Sequence, residues 1–68
     1  MIVKIIRRDV SFLFVVEKIE CIKAFLKHGI LEVTISGKAH EIHYGPVEFK
    51  VFEEDHERLL NAIETLNK

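Results

Sequence analysis

The sequence has few of the residues that cross-link or break small folds. It contains 68 residues with one cysteine, Cys21, one proline, Pro46, three glycines and no tryptophan. A single cysteine excludes an internal disulfide and fits a reducing compartment, so we expect a cytoplasmic location. A domain this short buries only about 60% of its unfolded surface, and its stability is marginal without a disulfide, a metal or an oligomer.

Long apolar runs and a strong net charge are also lacking. Hydrophobic residues make up 49% of the chain, yet no run approaches membrane-spanning length, so we expect no membrane partner. Asp9 interrupts the basic and apolar start, and no small-residue cleavage site follows, so we expect no signal peptide. The net charge is −1, which gives no general attraction to nucleic acid. We expect one α+β domain over residues 1–68, with a small antiparallel β-sheet of four to five strands packed on one face by a C-terminal helix.

Charge is distributed unevenly along the chain. Residues 1–38 carry seven basic and four acidic groups, whereas residues 39–68 carry three basic and seven acidic groups. We interpret the acidic residues from Glu53 to Glu57 as complementing a helix N-terminus. The alternative is an acidic patch that mimics nucleic acid or steers a basic partner.

The central stretch 30–52 predicts a three-stranded antiparallel β-meander. Apolar residues alternate with polar ones, as in Leu31, Val33 and Ile35, and two glycine-centred turn signals divide the stretch. The second turn is predicted at Gly45-Pro46, where glycine would take a positive φ and proline has a fixed φ. One face of this meander is apolar and the other is polar.

Charge pairing decides the predicted register of the first turn. A turn at Gly37-Lys38 places Glu32 opposite His43. A turn at Ser36-Gly37 places Glu32 opposite Glu41, and like charges in direct opposition are destabilising. We therefore predict the turn at Gly37-Lys38.

The N-terminal segment predicts two strands, over 2–7 and 10–16, joined by a tight turn at Arg8-Asp9. The second strand is apolar on both faces, with Ser11 as its only polar residue, and such a strand is normally covered on both sides. Because one helix covers only one face of a sheet, we expect a homodimer through the N-terminal strands. The alternative is that the sheet rolls into a partial barrel. The predicted interface residues are Val10, Phe12, Leu13, Phe14 and Val15.

Two further segments have helical character. Residues 17–28 predict a second helix, because Ile19, Ile22 and Leu26 have helical spacing and Gly29 follows as a cap. The alternative is a strand over 19–26 with a turn at 27–29. Residues 54–67 predict a C-terminal helix that covers the apolar face of the sheet. Its apolar stripe is Leu59, Leu60, Ile63 and Leu66.

The sequence offers one candidate catalytic or metal-binding site, a polar cluster on the solvated face of the meander. In the predicted register, His43 lies between two carboxylates, which favours its protonated form. The cluster comprises Glu32, Glu41, His43, Glu48 and Lys50. It could form a weak metal site or an acid–base pair, but antiparallel sheets commonly carry such charge ladders on their open face, and we prefer that interpretation. We therefore predict no catalytic residue, no resident metal and no cofactor.

A small sheet, a C-terminal helix and no catalytic constellation resemble short accessory proteins of phages and mobile elements, although no specific motif carries that resemblance. We expect a non-enzymatic protein that acts through protein–protein contacts and regulates or inhibits a larger partner. One alternative is a small metal-dependent hydrolase or nuclease centred on His43 with Glu32 and Glu48. Another is a weak nucleic-acid binder that uses Lys4, Arg7 and Arg8.

Overall fold

A computed structural model describes residues 1–68, with five strands, two short 3-10 helices and one α-helix. The α+β class and the C-terminal helix packed on the strands are as the sequence predicts. The strands are β1 (Ile2–Arg7), β2 (Val10–Val15), β3 (Ile19–Phe25), β4 (Ile30–Ile35) and β5 (Lys38–His43). The 3-10 helices span Val16–Lys18 and Pro46–Glu48, and helix α1 spans Phe49–Leu66. The strands form a two-stranded sheet, β1-β2, and a three-stranded sheet, β3-β4-β5, both antiparallel.

The β1-β2 hairpin turns tightly at Arg8-Asp9, as the sequence predicts. Arg8 has a φ of 54°, and Arg7 pairs with Val10 on either side of the turn. Alternation gives the hairpin an inner face, where Val3 and Phe14 pair and are both buried. Its outer face carries the alternate residues and faces solvent.

The predicted second helix over 17–28 is wrong, and the alternative strand is correct. Strand β3 pairs with β4, and an irregular step between Ile19 and Cys21 marks a β-bulge. A bulge adds one residue and shifts the alternation by one position. Ile19 and Ile22 therefore both pack against the core. The bulge thus gives this strand apolar residues three positions apart, a spacing that is typical of a helix.

The predicted Gly37-Lys38 turn is also wrong, because the β4-β5 hairpin turns at Ser36-Gly37. Both residues have positive φ, 52° and 78°, which is the conformation of a type I′ turn and matches the twist of the strands. Glu32 consequently lies opposite Glu41. Repulsion between two solvated carboxylates is small, on the order of 1 kcal/mol, and Lys23 flanks Glu32 on its other side.

The third strand of the predicted meander, within 47–52, is helical instead, so the three-stranded meander spans 19–43. Gly45 has a φ of −73° rather than a positive value, and Pro46 begins the 3-10 helix. Proline suits the first position of a helix because the N–H group that it lacks would have no partner within the helix there. The Glu48 carboxylate accepts a hydrogen bond from the Gly45 N–H at 2.7 Å, and the Glu48 N–H donates to the Gly45 carbonyl at 2.9 Å.

The core lies between the inner faces of the two sheets and one face of α1. Helix α1 begins at Phe49 rather than near 54, so Phe52 lies inside it and is buried together with Leu59. The predicted stripe residues Leu60 and Leu66 are 45% and 39% exposed. The buried apolar residues are Val3, Ile5, Phe14, Val16, Leu31, Val33, Ile42, Tyr44, Phe52 and Leu59.

Candidate functional site

The outer face of the β1-β2 hairpin is an apolar surface that no other element of the chain covers. We call it the hairpin face, and its residues are Ile2, Lys4, Ile6, Ser11, Leu13 and Val15, three from each strand. Ile2 and Leu13 are each 63% exposed, Ile6 is 59% exposed and Val15 is 36% exposed. Four apolar side chains surround a single lysine and a single serine. The hairpin face is therefore mainly apolar and open to solvent.

The predicted interface residues fall on both faces of the hairpin. Leu13 and Val15 lie on the hairpin face, and Val10 is exposed at the start of β2. Phe14 is buried, and Phe12 stacks on it with ring centroids 6.0 Å apart. The two phenylalanines therefore pack in the core of their own chain, and only the other three residues are exposed.

The predicted polar cluster is divided between different parts of the molecule. On the exposed face of the three-stranded sheet, His43 Nε2 lies 3.3 Å from Glu41 Oε1, and Glu32 lies opposite Glu41. Glu48 lies in the second 3-10 helix and forms an ion pair with Arg7, and Lys50 lies on α1. No group of three or more His, Cys, Asp or Glu side chains is arranged to hold a metal ion.

A buried polar network that the sequence did not predict joins both sheets to the helix. Tyr44, which follows β5, donates its hydroxyl proton to Asp55 Oδ2 of α1 at 2.8 Å. The Arg7 guanidinium of β1 lies over the Tyr44 ring, with Cζ 4.3 Å from the centroid. Arg58 lies 3.5 Å from Asp55 Oδ1. Cation–π contacts of a desolvated arginine are worth about 2 kcal/mol.

The environment of this network changes two pKa values. Burial and the hydrogen bond to Asp55 raise the pKa of Tyr44, so the phenol stays neutral. The Arg7 guanidinium and the Gly45 N–H lower the pKa of Glu48, so its carboxylate stays charged. Arg7 Nη2 approaches Glu48 as an ion pair that is not aligned as a hydrogen bond, and Arg7 Nε has no hydrogen-bond partner.

Three further hydrogen bonds hold β1, two at Met1 just before the strand and one at Lys4 in its middle. The N-terminal ammonium donates to Glu17 Oε2 at 2.7 Å, and the Val16 N–H donates to the Met1 carbonyl at 2.9 Å. Arg58 Nη2 of α1 donates to the Lys4 carbonyl at 2.8 Å. Together with the Arg7 contacts, these bonds hold the hairpin in one orientation relative to the rest of the chain.

The three basic residues proposed for nucleic-acid contact do not share a surface. Lys4 lies on the hairpin face, and Arg8 is exposed at the turn. The Arg7 side chain is only 12% exposed and faces Tyr44 and Glu48. The Arg7 guanidinium is therefore not accessible to a phosphate backbone.

Two sequence signals could have indicated the network. Alternation along β1 places Arg7 on the same face as Val3 and Ile5, which are apolar. Helical spacing places Asp55 between Phe52 and Leu59 on the buried face of α1. A charged residue on an apolar face requires a buried partner, but no pattern in the sequence identifies Tyr44 as that partner.

Comparisons with protein-family models, with curated proteins and with solved structures give no match for this chain. No helix of the structure has both the length and the apolar character needed to cross a membrane.

Proposed function

We propose that this protein is a non-enzymatic binding protein that acts through protein–protein contacts, and that a second copy of itself covers the hairpin face. The observation that supports this proposal is the exposure of Ile2, Ile6 and Leu13, each about 60% accessible on one side of a preorganised hairpin. Burying an apolar side chain of this size contributes roughly 1.5–3 kcal/mol. The three residues on two copies would together contribute several kcal/mol toward association, set against the entropic cost of bringing two chains together.

The size of the chain favours a second copy as the occupant. A standard interface buries about 800 Å² on each partner, which is about one sixth of the 4876 Å² surface of this chain. A two-stranded sheet is marginally stable by itself, and a two-fold contact between hairpin faces would cover both hairpins at once.

A single substitution on the hairpin face tests this proposal. Leu13→Glu places a carboxylate opposite Lys4, so the cross-strand pair supports the fold of the subunit. The change removes one buried leucine from each copy, and we expect the dimer to dissociate at least about a hundredfold more readily. Sedimentation velocity at micromolar concentration measures the effect.

The matched control is Val47→Glu, at a residue 94% exposed beyond the hairpin face. We expect this variant to sediment as the unchanged protein does. A parent protein that sediments as a 7.9 kDa monomer throughout the micromolar range would contradict the proposal. Equal dissociation of both variants would also contradict it, because the contact would then lie elsewhere.

We also propose that the protein works in a reducing compartment such as the cytoplasm, as a small regulator or inhibitor of a larger partner. Cys21 is a free and exposed thiol, which a reducing environment would preserve. Recovery of the protein from cells mainly as a disulfide-linked dimer through Cys21 would contradict this location.

A further inference from the structure

A groove between β3 and α1 has features that the proposed dimer does not use. Its floor is apolar and consists of Ile22 and Ala24 of β3, Leu26 directly after it, and Phe52 and Leu60 of α1. Leu26 is 57% exposed and Leu60 is 45% exposed. The groove encloses about 810 Å³, which is room for several side chains.

The β3 wall of this groove is an unpaired strand edge. Strand β3 pairs with β4 on one side, and no strand pairs with its other side. An unpaired edge presents backbone N–H and C=O groups to any extended chain that approaches it. Proteins commonly bind peptides by adding them as a further strand at such an edge.

The helical wall of the groove is acidic. Glu53, Glu57 and Glu64 line it across three turns of α1. None of the three forms an ion pair within the chain. They therefore offer three negative charges beside an apolar floor, and a lysine or arginine side chain can cover such a floor with its stem while its charged end reaches a carboxylate.

We propose that this groove binds an extended basic segment of a partner protein, added as a strand at the free edge of β3. Side chains at alternate positions of that segment enter the groove, and consecutive entering residues are about 6.8 Å apart. Glu53 and Glu57 lie about 6 Å apart along the helix axis. Lysine or arginine at alternate positions of the segment matches this spacing.

A second copy of the chain fits this groove poorly. Its own β3 edge would direct Ile22 and Ala24 into the groove, and neither residue carries a positive charge. Two copies paired through β3 would also bring two sets of unpaired glutamates toward each other. The groove is therefore separate from the hairpin face, and its occupant carries the opposite charge.

Synthetic octapeptides test the proposal. The probe alternates threonine and lysine with blocked ends, and a second peptide alternates proline and lysine, which keeps the charge but removes half of the backbone N–H groups. A third alternates threonine and glutamate. We expect only the threonine–lysine peptide to shift the backbone amide NMR signals of Ile22 and Ala24.

Charge variants of the protein complete the experiment. The double variant Glu53→Gln and Glu57→Gln removes two groove carboxylates, and we expect its affinity for the threonine–lysine peptide to fall about tenfold. The control is Glu41→Gln with Glu54→Gln, which removes two exposed carboxylates outside the groove, and its affinity should stay unchanged. Equal binding of the proline–lysine peptide would overturn the proposal. Equal weakening in both double variants, or no shift at β3, would overturn it as well.

Discussion

At the scale of single residues, the contacts of Arg7 and Tyr44 determine how the hairpin is held. Arg7 stacks on the Tyr44 ring and pairs with Glu48, and Tyr44 bonds to Asp55. These residues come from β1, from the segment after β5, from the second 3-10 helix and from α1. Because they connect every layer of the molecule, their charge states should influence the stability of the whole chain.

The lowered pKa of Glu48 predicts how stability depends on pH. A carboxyl group whose pKa is lower in the folded state stabilises the fold above its unfolded pKa, about 4.3. That contribution is lost as the pH falls through the folded pKa. We expect Glu48→Gln to reduce the drop in unfolding free energy between pH 6 and pH 3, measured by urea denaturation.

The control for this prediction is Glu54→Gln, which removes a helix carboxylate that forms no ion pair. Glu17, whose pKa the N-terminal ammonium lowers, should behave as Glu48 does when replaced by glutamine. A pH profile of Glu48→Gln identical to that of the parent protein would show that the Arg7 contact does not stabilise the fold.

Gly29 is the glycine at which an added methyl group should lower the unfolding free energy the most. Its φ is +63°, and a Cβ at this position would lie 2.5 Å from the carbonyl oxygen of Tyr44. Its own carbonyl accepts a hydrogen bond from the Tyr44 N–H at 2.7 Å, so the backbone cannot move away freely. We expect Gly29→Ala to lower the unfolding free energy by more than about 2 kcal/mol.

The matched control is Gly37→Ala. Gly37 has a φ of +78°, but nothing lies within 4 Å of a Cβ there. This variant should show only the cost of the left-handed conformation, roughly 1 kcal/mol. Thermal or urea unfolding compares the two variants, and equal losses would mean that the close approach to Tyr44 is unimportant.

At the scale of elements, the sequence predicts each strand well where alternation is uninterrupted. The strands of the N-terminal hairpin, β4 and β5 follow their apolar pattern within one or two residues. Strand β3 was predicted as a helix because a bulge between Ile19 and Cys21 disrupts its alternation. A bulge has no reliable signal in one sequence, whereas the helix start could have been found: Pro46 and Glu48 have the spacing of a helix N-terminus.

The register of the β4-β5 hairpin can be tested by strengthening its turn. Ser36 has a φ of 52°, and asparagine adopts that conformation more readily than serine. We expect Ser36→Asn to stabilise the protein by about 0.5 kcal/mol, and Ser36→Val to destabilise it, in urea unfolding. The reverse order would indicate that Ser36 lies in a strand and that the turn is at Gly37-Lys38.

The residues of the candidate site could likewise be predicted only where they lie within one hairpin. Alternation along β2 is sufficient to place Leu13 and Val15 on one face and Phe14 on the other. Glu48 was grouped with Glu32 and His43 on the assumption that a turn at Gly45-Pro46 leads into a third strand. Because a helix follows Pro46 instead, Glu48 lies away from the other two residues. Contacts within a hairpin can be read from sequence spacing, but contacts between elements depend on how those elements pack.

At the scale of the whole molecule, the core of this chain is small and one sheet face remains uncovered. The ten buried apolar residues lie between the two sheets and α1, which leaves the outer side of the β1-β2 hairpin without a covering element. The hydrogen bonds and ion pairs around Arg7, Arg58 and the N-terminus hold that surface in place. The chain therefore presents an apolar surface in a fixed orientation, and this supports the proposed contact between two copies.

Intermolecular NOEs in a sample that mixes isotope-labelled and unlabelled protein measure directly whether a second copy covers that surface. We expect NOEs between copies that join the methyl groups of Leu13 and Val15 to those of Ile2 and Ile6. Signals that join only groove residues such as Leu26 and Leu60, or no intermolecular NOE at the highest attainable concentration, would contradict the proposed contact.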